Sequence, residues 1–167
     1  AVLVDGVDVR DYPFAQLRGQ IGVVPQQAVL FSGTVRQNMQ WGCEGADDGQ
    51  IERALAVAQA KEFVDRLPGG LDAPVAQGGK NFSGGQKQRL TIARALVGSP
   101  QILILDDSAS ALDFATDAAL RRALRRDTRG MTVLMVSQRA NTVKAADRIV
   151  VLDDGAVAGV GTHRELM

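Results

Sequence analysis

Two adjacent carboxylates are the groups in this sequence best placed to do chemistry. Asp106 and Asp107 directly follow an apolar run, Ile102–Leu105, that has the character of a buried strand. Hard cations such as Mg²⁺ bind oxygen ligands, so a strand that ends in acids is typical of a site for a metal and phosphates. A second apolar run, residues 131–137, is followed by Gln138. We expect these two strand ends to contribute to one site.

The stretch NFSGGQKQRLTIARAL contains a helix start with uncovered backbone amides. Ser83 is a natural N-cap, and Gln86 three residues later completes a capping box. Gly84 and Gly85 let another backbone approach closely and leave their amides accessible. Because amides at a helix N-terminus attract anions, these residues form a candidate phosphate site. A capping box alone indicates only where a helix begins.

The order of the elements predicts an α/β fold. Continuous apolar strands alternate with helices, which indicates a layered fold with a mostly parallel sheet. Ligands of such sheets bind beyond the carboxyl ends of the strands, where Asp106, Asp107 and Gln138 all lie. The expected strands cover residues 1–4, 7–9, 21–24, 102–105, 131–137 and a closing pair around Asp154-Gly155, and the expected helices cover 34–40, 51–67, 83–97, 113–126 and 138–146.

The composition is ordinary for a globular domain, with 46% hydrophobic and 23% charged residues in a chain of 167. The net charge is zero, which excludes an overall field that would attract nucleic acid or an anionic membrane. The single cysteine, Cys43, excludes an internal disulfide and favours a reducing compartment. No apolar run approaches the roughly 18 residues that span a bilayer.

The stretch from Asn81 to Leu96 resembles the signature motif of the ABC transporter ATPases. Other segments resemble motifs of that family in the same order: VVPQQAVLF the Q-loop, ILILDD Walker B, SALD the D-loop, and VLMVSQRANTV the switch strand and loop. FSGTVRQNM and GTHREL are similar to exporter-type members. The resemblance implies a P-loop NTPase (RecA-like) parallel sheet with helices on both faces, formed by residues 1–29 and 101–167, and a helical subdomain at about 30–100 that carries the signature.

The resemblance also implies that the domain binds ATP and Mg²⁺. By position, Asp106 and Gln26 would contact the metal, and Gln26 would also contact the attacking water and couple the site to a transmembrane part. Asp107 and Gln138 occupy the positions of the catalytic glutamate and the switch histidine. The D-loop would be Ser110, Ala111, Leu112 and Asp113, while Ser83, Gly84, Gly85 and Gln86 would bind ATP in the site of a second subunit in a head-to-tail dimer.

Two residues depart from the family's catalytic pattern. Asp107 is shorter than glutamate by one methylene, which sets its carboxylate back from the water, and a displacement of about 1 Å can cost about a hundredfold in rate. Gln138 can donate a hydrogen bond to a γ-phosphate but cannot carry a positive charge. The only histidine, His163, lies in GTHREL and is assigned no catalytic role. The pattern resembles the degenerate-site subunit of heterodimeric exporters, whose intact signature serves the partner's competent site.

Three other functions are compatible with these residues. A homodimeric exporter could hydrolyse ATP fully while tolerating Asp107 and Gln138. A soluble ABC ATPase acting on nucleic acid or ribosomes would lack a membrane domain, but FSGTVRQNM and GTHREL count against it. A nucleotide-gated module without turnover differs from the leading interpretation only in degree. That interpretation implies a second ABC subunit and transmembrane coupling helices as partners, no nucleic acid, and a location at the cytoplasmic face of the cell membrane.

The sequence has no phosphate-binding loop of the form G-x-x-x-x-G-K-[ST]. The nearest match, residues 77–81, fails because Pro74 stands at the first glycine position and Asn81 follows the lysine. In the family this loop and the aromatic residue that stacks on adenine precede the opening hairpin. We therefore expect the chain to be the C-terminal majority of a longer domain and to bind ATP weakly by itself. Gln77 stands where many exporters carry an acidic residue that contacts coupling helices.

Overall fold

The computed structural model describes residues 1–108, 111–128 and 130–167. The strands are β1 (Leu3–Val4), β2 (Val7–Asp8), β3 (Ile21–Val24), β4 (Gly33–Thr34), β5 (Pro74–Val75), β6 (Ile102–Asp106), β7 (Thr132–Val136), β8 (Ile149–Asp153) and β9 (Ala156–Gly161). The α-helices are α1 (Phe14–Gly19), α2 (Val35–Gln40), α3 (Asp48–Val57), α4 (Lys61–Asp65), α5 (Gly84–Leu96), α6 (Phe114–Asp127) and α7 (Ala140–Val143). Short 3₁₀ turns cover Val9–Asp11, Gly70–Asp72 and Gln77–Gly79.

A parallel sheet of three strands, in the order β3, β6, β7, forms the centre of the described structure. Val24 pairs with Leu105, and Leu105 pairs with Met135, so the strands end together at one edge. The hairpins β1–β2 and β8–β9 each turn through an Asp-Gly pair with positive φ at both residues, as the sequence predicts. The parallel sheet and its connecting helices confirm the predicted α/β fold class.

One face of the parallel sheet is packed, and the other is open in the part of the chain that the structure describes. Leu103 and Leu105 belong to the same buried core as Leu120 of α6. On the opposite face, Leu134 is 53% exposed and Val136 is 57% exposed. The apolar run at 131–137 predicts a buried strand, and this prediction is wrong for the side chains on the open face of β7. β7 lies at the edge of this sheet, and its side chains alternate between the packed and the open face.

The single helix expected between residues 51 and 67 is wrong, because the chain breaks at Gln59. Gln59 has a φ of 59° and follows the end of α3. Its N–H donates to the Ala56 carbonyl at 3.1 Å, and the N–H of Ala60 donates to the Leu55 carbonyl at 2.7 Å. These two bonds form a Schellman motif, which ends a helix. The Gln59 carbonyl in turn accepts a 2.7 Å hydrogen bond from Arg89 of the signature helix α5.

The helix expected at residues 138–146 is shorter than predicted. Only Ala140–Val143 is helical, and Arg139 before it has an extended backbone. The N–H of Arg139 donates to the Ser137 hydroxyl at 3.0 Å, which fixes a tight turn in place of a helical one. Gln138 therefore lies in a loop between β7 and α7.

Helices α2 and α3 each pack against α5, and the three share one hydrophobic core with the sheet. Thr34, Asp47 and Ser83 begin these helices, each through a capping box.

The division into a helical subdomain at about 30–100 and a RecA-like core stays a prediction. Within residues 1–108, 111–128 and 130–167, no helix is both long and apolar enough to cross a membrane.

Gly22 lets helix α5 lie directly on strand β3. A Cβ at this position would be 2.5 Å from the Ala95 carbonyl oxygen and 3.0 Å from Cγ of Pro100. Gly22→Ala should therefore lower the free energy of unfolding by about 1–3 kcal/mol, the usual cost of overpacking. Urea unfolding followed by circular dichroism measures the change. At Gly19 an added Cβ meets nothing within 4 Å, so an equal loss in Gly19→Ala would contradict the packing explanation.

Candidate functional site

Four predicted site residues lie at, or within two residues of, the strand ends on the carboxyl edge of the parallel sheet. Asp106 ends β6 opposite Val136 of β7, and the N–H of Asp107 donates to the Val136 carbonyl at 3.0 Å. Gln138 follows Val136 by two residues, and Gln26 follows the end of β3 by two residues. Neighbouring strands in a sheet lie about 4.8 Å apart. The sequence-based expectation that these strand ends share one edge agrees with the sheet topology, while the chemical roles stay predictions.

Asp107 has an unusual backbone conformation, with a φ of 41°. Aspartate populates this left-handed region more readily than most residues that carry a Cβ. The Asp107 amide is held by Val136, so the position of its Cα is set by the end of the neighbouring strand. The reach of the side chain from that point decides where the carboxylate can act.

The oxygen donors at this edge suit Mg²⁺. Asp106 offers a carboxylate and Gln26 an amide oxygen, and both residues are exposed. Mg²⁺ commonly takes one or two protein carboxylates and completes its shell with water and substrate phosphates. In the described ranges no group of three or more His, Cys, Asp or Glu residues is arranged to hold a metal. The edge fits a metal that is shared with a phosphate ligand.

The signature residues form a capped helix start that faces solvent. The N–H of Ser83 donates to Oε1 of Gln86 at 2.9 Å, and the N–H of Gln86 donates to the Ser83 hydroxyl at 3.2 Å. Ser83 and Gly84 are exposed, and a Cβ at Gly84 would meet nothing within 4 Å. The reciprocal cap fixes the first turn of α5 and leaves the glycine backbone open to a second molecule.

The predicted D-loop segment contacts the predicted signature turn. A Cβ at Gly85 would lie 3.3 Å from the Ala111 carbonyl oxygen, so the two segments touch through their backbones. Leu112 is buried in the core, and Asp113 caps α6 by accepting from the Thr116 N–H at 2.9 Å. Hydrogen bonds from the Thr116 backbone and hydroxyl hold the pKa of the Asp113 carboxyl below its usual range. The fourth predicted D-loop residue, Ser110, lies outside the described residues.

An exposed aromatic patch follows the Q-loop, and sequence reasoning assigned it no role. The rings of Phe31 and Trp41 lie 5.2 Å apart between centroids, and the Arg94 guanidinium lies 5.4 Å from the Phe31 centroid. Trp41 is 71% exposed. The only signal in the sequence was two aromatic residues that flank a short helix, and no periodicity linked them to Arg94. We refer to Phe31, Trp41 and Arg94 as the aromatic patch.

Comparison with known proteins decides the family. A family model described as ABC transporter matches residues 1–110. The chain belongs to the ABC transporter family. Its relatives include the uncharacterized ABC transporter ATP-binding protein YwjA of Bacillus subtilis, which is 44% identical over 99% of this chain and 29% of that protein. The probable multidrug resistance ATP-binding/permease protein YheI of B. subtilis is 43% identical over the whole chain and 28% of its own length.

A solved structure of a bacterial Atm1-family ABC exporter with ATP bound has the same fold. The TM-score is 0.93 with 37% sequence identity, and the alignment covers 98% of this chain and 29% of that exporter chain. This ABC chain thus spans less than a third of the length of these relatives. The predicted resemblance to ABC transporter ATP-binding domains with exporter-type relatives is confirmed. ABC domains bind ATP, generally with Mg²⁺, and are generally ATPases.

Proposed function

We propose that this ABC domain is the ATP-binding part of an exporter subunit whose own site hydrolyses ATP slowly. Its signature turn, Ser83–Gln86, would complete the competent site of a second ABC subunit in a head-to-tail dimer. The observation that carries the proposal is the outward presentation of this turn. Its backbone is exposed at Gly84, fixed by a reciprocal cap and supported by the D-loop.

The arrangement at the sheet edge supports the slow site. The Asp107 amide is fixed to Val136, so its Cα cannot advance to compensate for a side chain that is one methylene short. Gln138 lies in the adjoining loop and offers an uncharged amide where a cation would stabilise charge that develops on a γ-phosphate. Both shortfalls act at the same edge, and hydrolysis there should be slow even when nucleotide is bound.

ATP and Mg²⁺ supply the phosphoryl group and the charge neutralisation when bound. Asp106 and Gln26 would hold the metal, and Gln26 would orient the water. Gly84 and Gly85 would donate backbone N–H groups to the phosphates at the partner's site, where the positive end of the α5 dipole favours an anion. The phosphate-binding loop and the adenine platform are not among these residues, so this chain by itself should bind ATP weakly.

We propose that the membrane domain docks on the aromatic patch, which lies in the segment proposed as the helical subdomain. Tryptophan and arginine are the residue types that most often dominate the energy of an interface; Trp41 is largely exposed, and Arg94 is half-buried against the Phe31 ring. The patch follows Gln26 in the chain, and Arg94 belongs to the signature helix α5. A coupling helix of the membrane domain that binds the patch would therefore contact two segments: the one that follows Gln26, at this subunit's own site, and helix α5, whose signature turn would serve the partner's site. Docking of this kind would hold the domain at the cytoplasmic face of the cell membrane.

Trp41→Ala should uncouple the domain from its membrane partner without unfolding it. Loss of an interface tryptophan commonly weakens association by about 2 kcal/mol or more, which corresponds to about 30-fold. In the intact transporter we expect substrate export and substrate-stimulated ATP hydrolysis to fall, while the melting temperature stays unchanged because Trp41 is largely exposed.

Phe14→Ala is the matched control for this experiment. Phe14 is 73% exposed and also carries an arginine, Arg18, at 5.3 Å from its ring centroid. Export that survives Trp41→Ala, or that falls equally in both variants, would contradict docking at the patch. A soluble ABC ATPase without a membrane domain would retain its full ATPase activity in Trp41→Ala.

A further inference from the structure

An ion pair between a buried carboxylate and a partly exposed arginine lies within helix α6, one turn after the D-loop. Asp117 is 4% exposed, and its Oδ2 lies 3.0 Å from a terminal guanidinium nitrogen (NH2) of Arg121. Residues four apart on a helix face each other, and an acid that precedes a base is the favourable order. A buried carboxylate that loses its partner is strongly destabilising, so this pair constrains the conformation of the Arg121 side chain.

Arg121 reaches from α6 to the segment that follows Gln138. Its other terminal nitrogen (NH1) donates to the Asn141 carbonyl of α7 at 2.9 Å. Its Nε is buried and has no hydrogen-bond partner among the described residues. Thr142 beside Asn141 is 5% exposed and lines the same small cavity as Asp117 and Arg121. The guanidinium therefore joins α6 to α7 through two residues that are 20 positions apart in the chain.

A second contact joins the same two elements near their starts. The Arg139 guanidinium lies 5.9 Å from the ring centroid of Phe114, the first residue of α6. Arg139 directly follows Gln138, and Phe114 directly follows Asp113 of the D-loop. The segment that carries Gln138 is thus attached to α6 at two places.

The short helix α7 needs such contacts. It has four residues and no side-chain cap at its N-terminus. Isolated helices shorter than about 12 residues are marginal in water, so tertiary contacts must hold α7 in place. The hydrogen bond from Arg121 is such a contact, and it satisfies the Asn141 carbonyl in the middle of this helix.

We propose that Arg121, held by Asp117, is a positioning residue that fixes the Gln138 segment to the D-loop helix. Under the function proposed above, the D-loop lies beside the signature turn that serves the partner's site, whereas Gln138 lies at the subunit's own site. A shift of α6 on dimer closure would then carry Gln138 with it. The Arg121 contact links the two sites through one side chain.

Hydrogen exchange and steady-state kinetics on the intact transporter test this role. In Arg121→Leu, which keeps most of the volume but removes every donor, amides of residues 138–143 should exchange about tenfold faster in the absence of nucleotide. The kcat for ATP at this subunit's own site, isolated by adding Gly84→Val to silence the partner's site, should fall by about tenfold, since a displacement well under 1 Å suffices for such a loss. The KM for Mg-ATP should change less than about twofold. Arg121→Lys, which can still pair with Asp117 and donate to a carbonyl, should restore at least half of both effects.

Arg125→Leu is the matched control, because Arg125 is an exposed arginine one turn further along the same helix. Unchanged exchange at 138–143 in Arg121→Leu would overturn the proposal. So would faster exchange with an unchanged kcat, an equal effect in Arg125→Leu, or no rescue by lysine. The exchange measurement needs no nucleotide, so it stands even if both nucleotide sites prove fully active. If Arg121→Leu fails to fold, Arg121→Gln must still show faster exchange at 138–143, and Arg121→Lys must show at most half of that increase.

Discussion

ATP hydrolysis at this subunit's own site should rise by about a hundredfold when Asp107→Glu and Gln138→His are combined. The added methylene moves the carboxylate forward by about 1 Å, a displacement that is worth about two orders of magnitude in rate. Histidine adds a group that can carry positive charge beside the γ-phosphate. Single-turnover hydrolysis of ATP in the intact dimer, at a pH near 7, measures the gain.

The control for this pair introduces the same chemical changes away from the sheet edge. Asp154 also has a positive φ, 46°, in the closing hairpin, and Gln101 is exposed at the opposite end of strand β6. Asp154→Glu with Gln101→His should leave the rate of ATP hydrolysis unchanged. The same variant measures how much stability is lost when a longer side chain replaces aspartate at a residue with left-handed backbone conformation. A flat rate in the Asp107 and Gln138 variant, with folding intact, would mean that reach and charge do not limit this site.

The second large effect is expected at the signature. Gly84→Val should reduce hydrolysis at the partner's site by about a hundredfold, because its side chain would keep the phosphate away from the backbone N–H donors of the turn, and loss of one such donor costs about 10²–10³ in comparable sites. The valine side chain would occupy the space where the phosphate must approach. Folding should be unaffected, since a Cβ at Gly84 meets nothing within 4 Å. Total ATPase activity and the melting temperature of the purified dimer measure the two outcomes.

Gly19→Val serves as the control for the change from glycine to valine. It adds the same atoms at another helix residue with nothing within 4 Å, and Gly19 precedes the amino end of β3, whereas the candidate site lies at the carboxyl ends of the strands. A Gly84→Val dimer that retains about half of its ATPase activity would indicate two equal sites. That result is expected for a homodimer-like enzyme, and it would contradict the proposal that the partner's site is competent while this subunit's own site is slow.

Much of the fold was predictable because the local signals act through the backbone. The capping box at Ser83 placed the start of α5, and the Asp-Gly pairs placed both hairpin turns. The apolar runs that end at Asp106 and near Gln138 identified neighbouring parallel strands. These features depend on residues that are close in sequence, and a short window of sequence contains the cause.

The features that sequence reasoning missed all depend on contacts between distant segments. The break at Gln59 gains a hydrogen bond from Arg89, thirty residues later, and apolar periodicity gives no sign of it. One face of β7 is exposed because none of the described elements packs against it, and the apolar run itself does not indicate which elements will cover a strand. Arg121 resembled any basic residue on an amphipathic helix until the structure placed Asn141 beside it. The roles of Asp107 and Gln138 follow from position in a family motif, and they stay predictions until hydrolysis is measured.

The most direct test places all the changes in this one subunit of the intact transporter. Gly84→Val removes the signature contribution to the partner's site, so the remaining ATPase activity reports this subunit's own site. The proposed function predicts almost no activity in that variant and a clear recovery when Asp107→Glu and Gln138→His are added to it. Two results would contradict this account: substantial ATPase activity in Gly84→Val alone, or no recovery of activity in the triple variant with folding intact. Either one would mean that this subunit does not combine a slow site of its own with a signature that completes the partner's site.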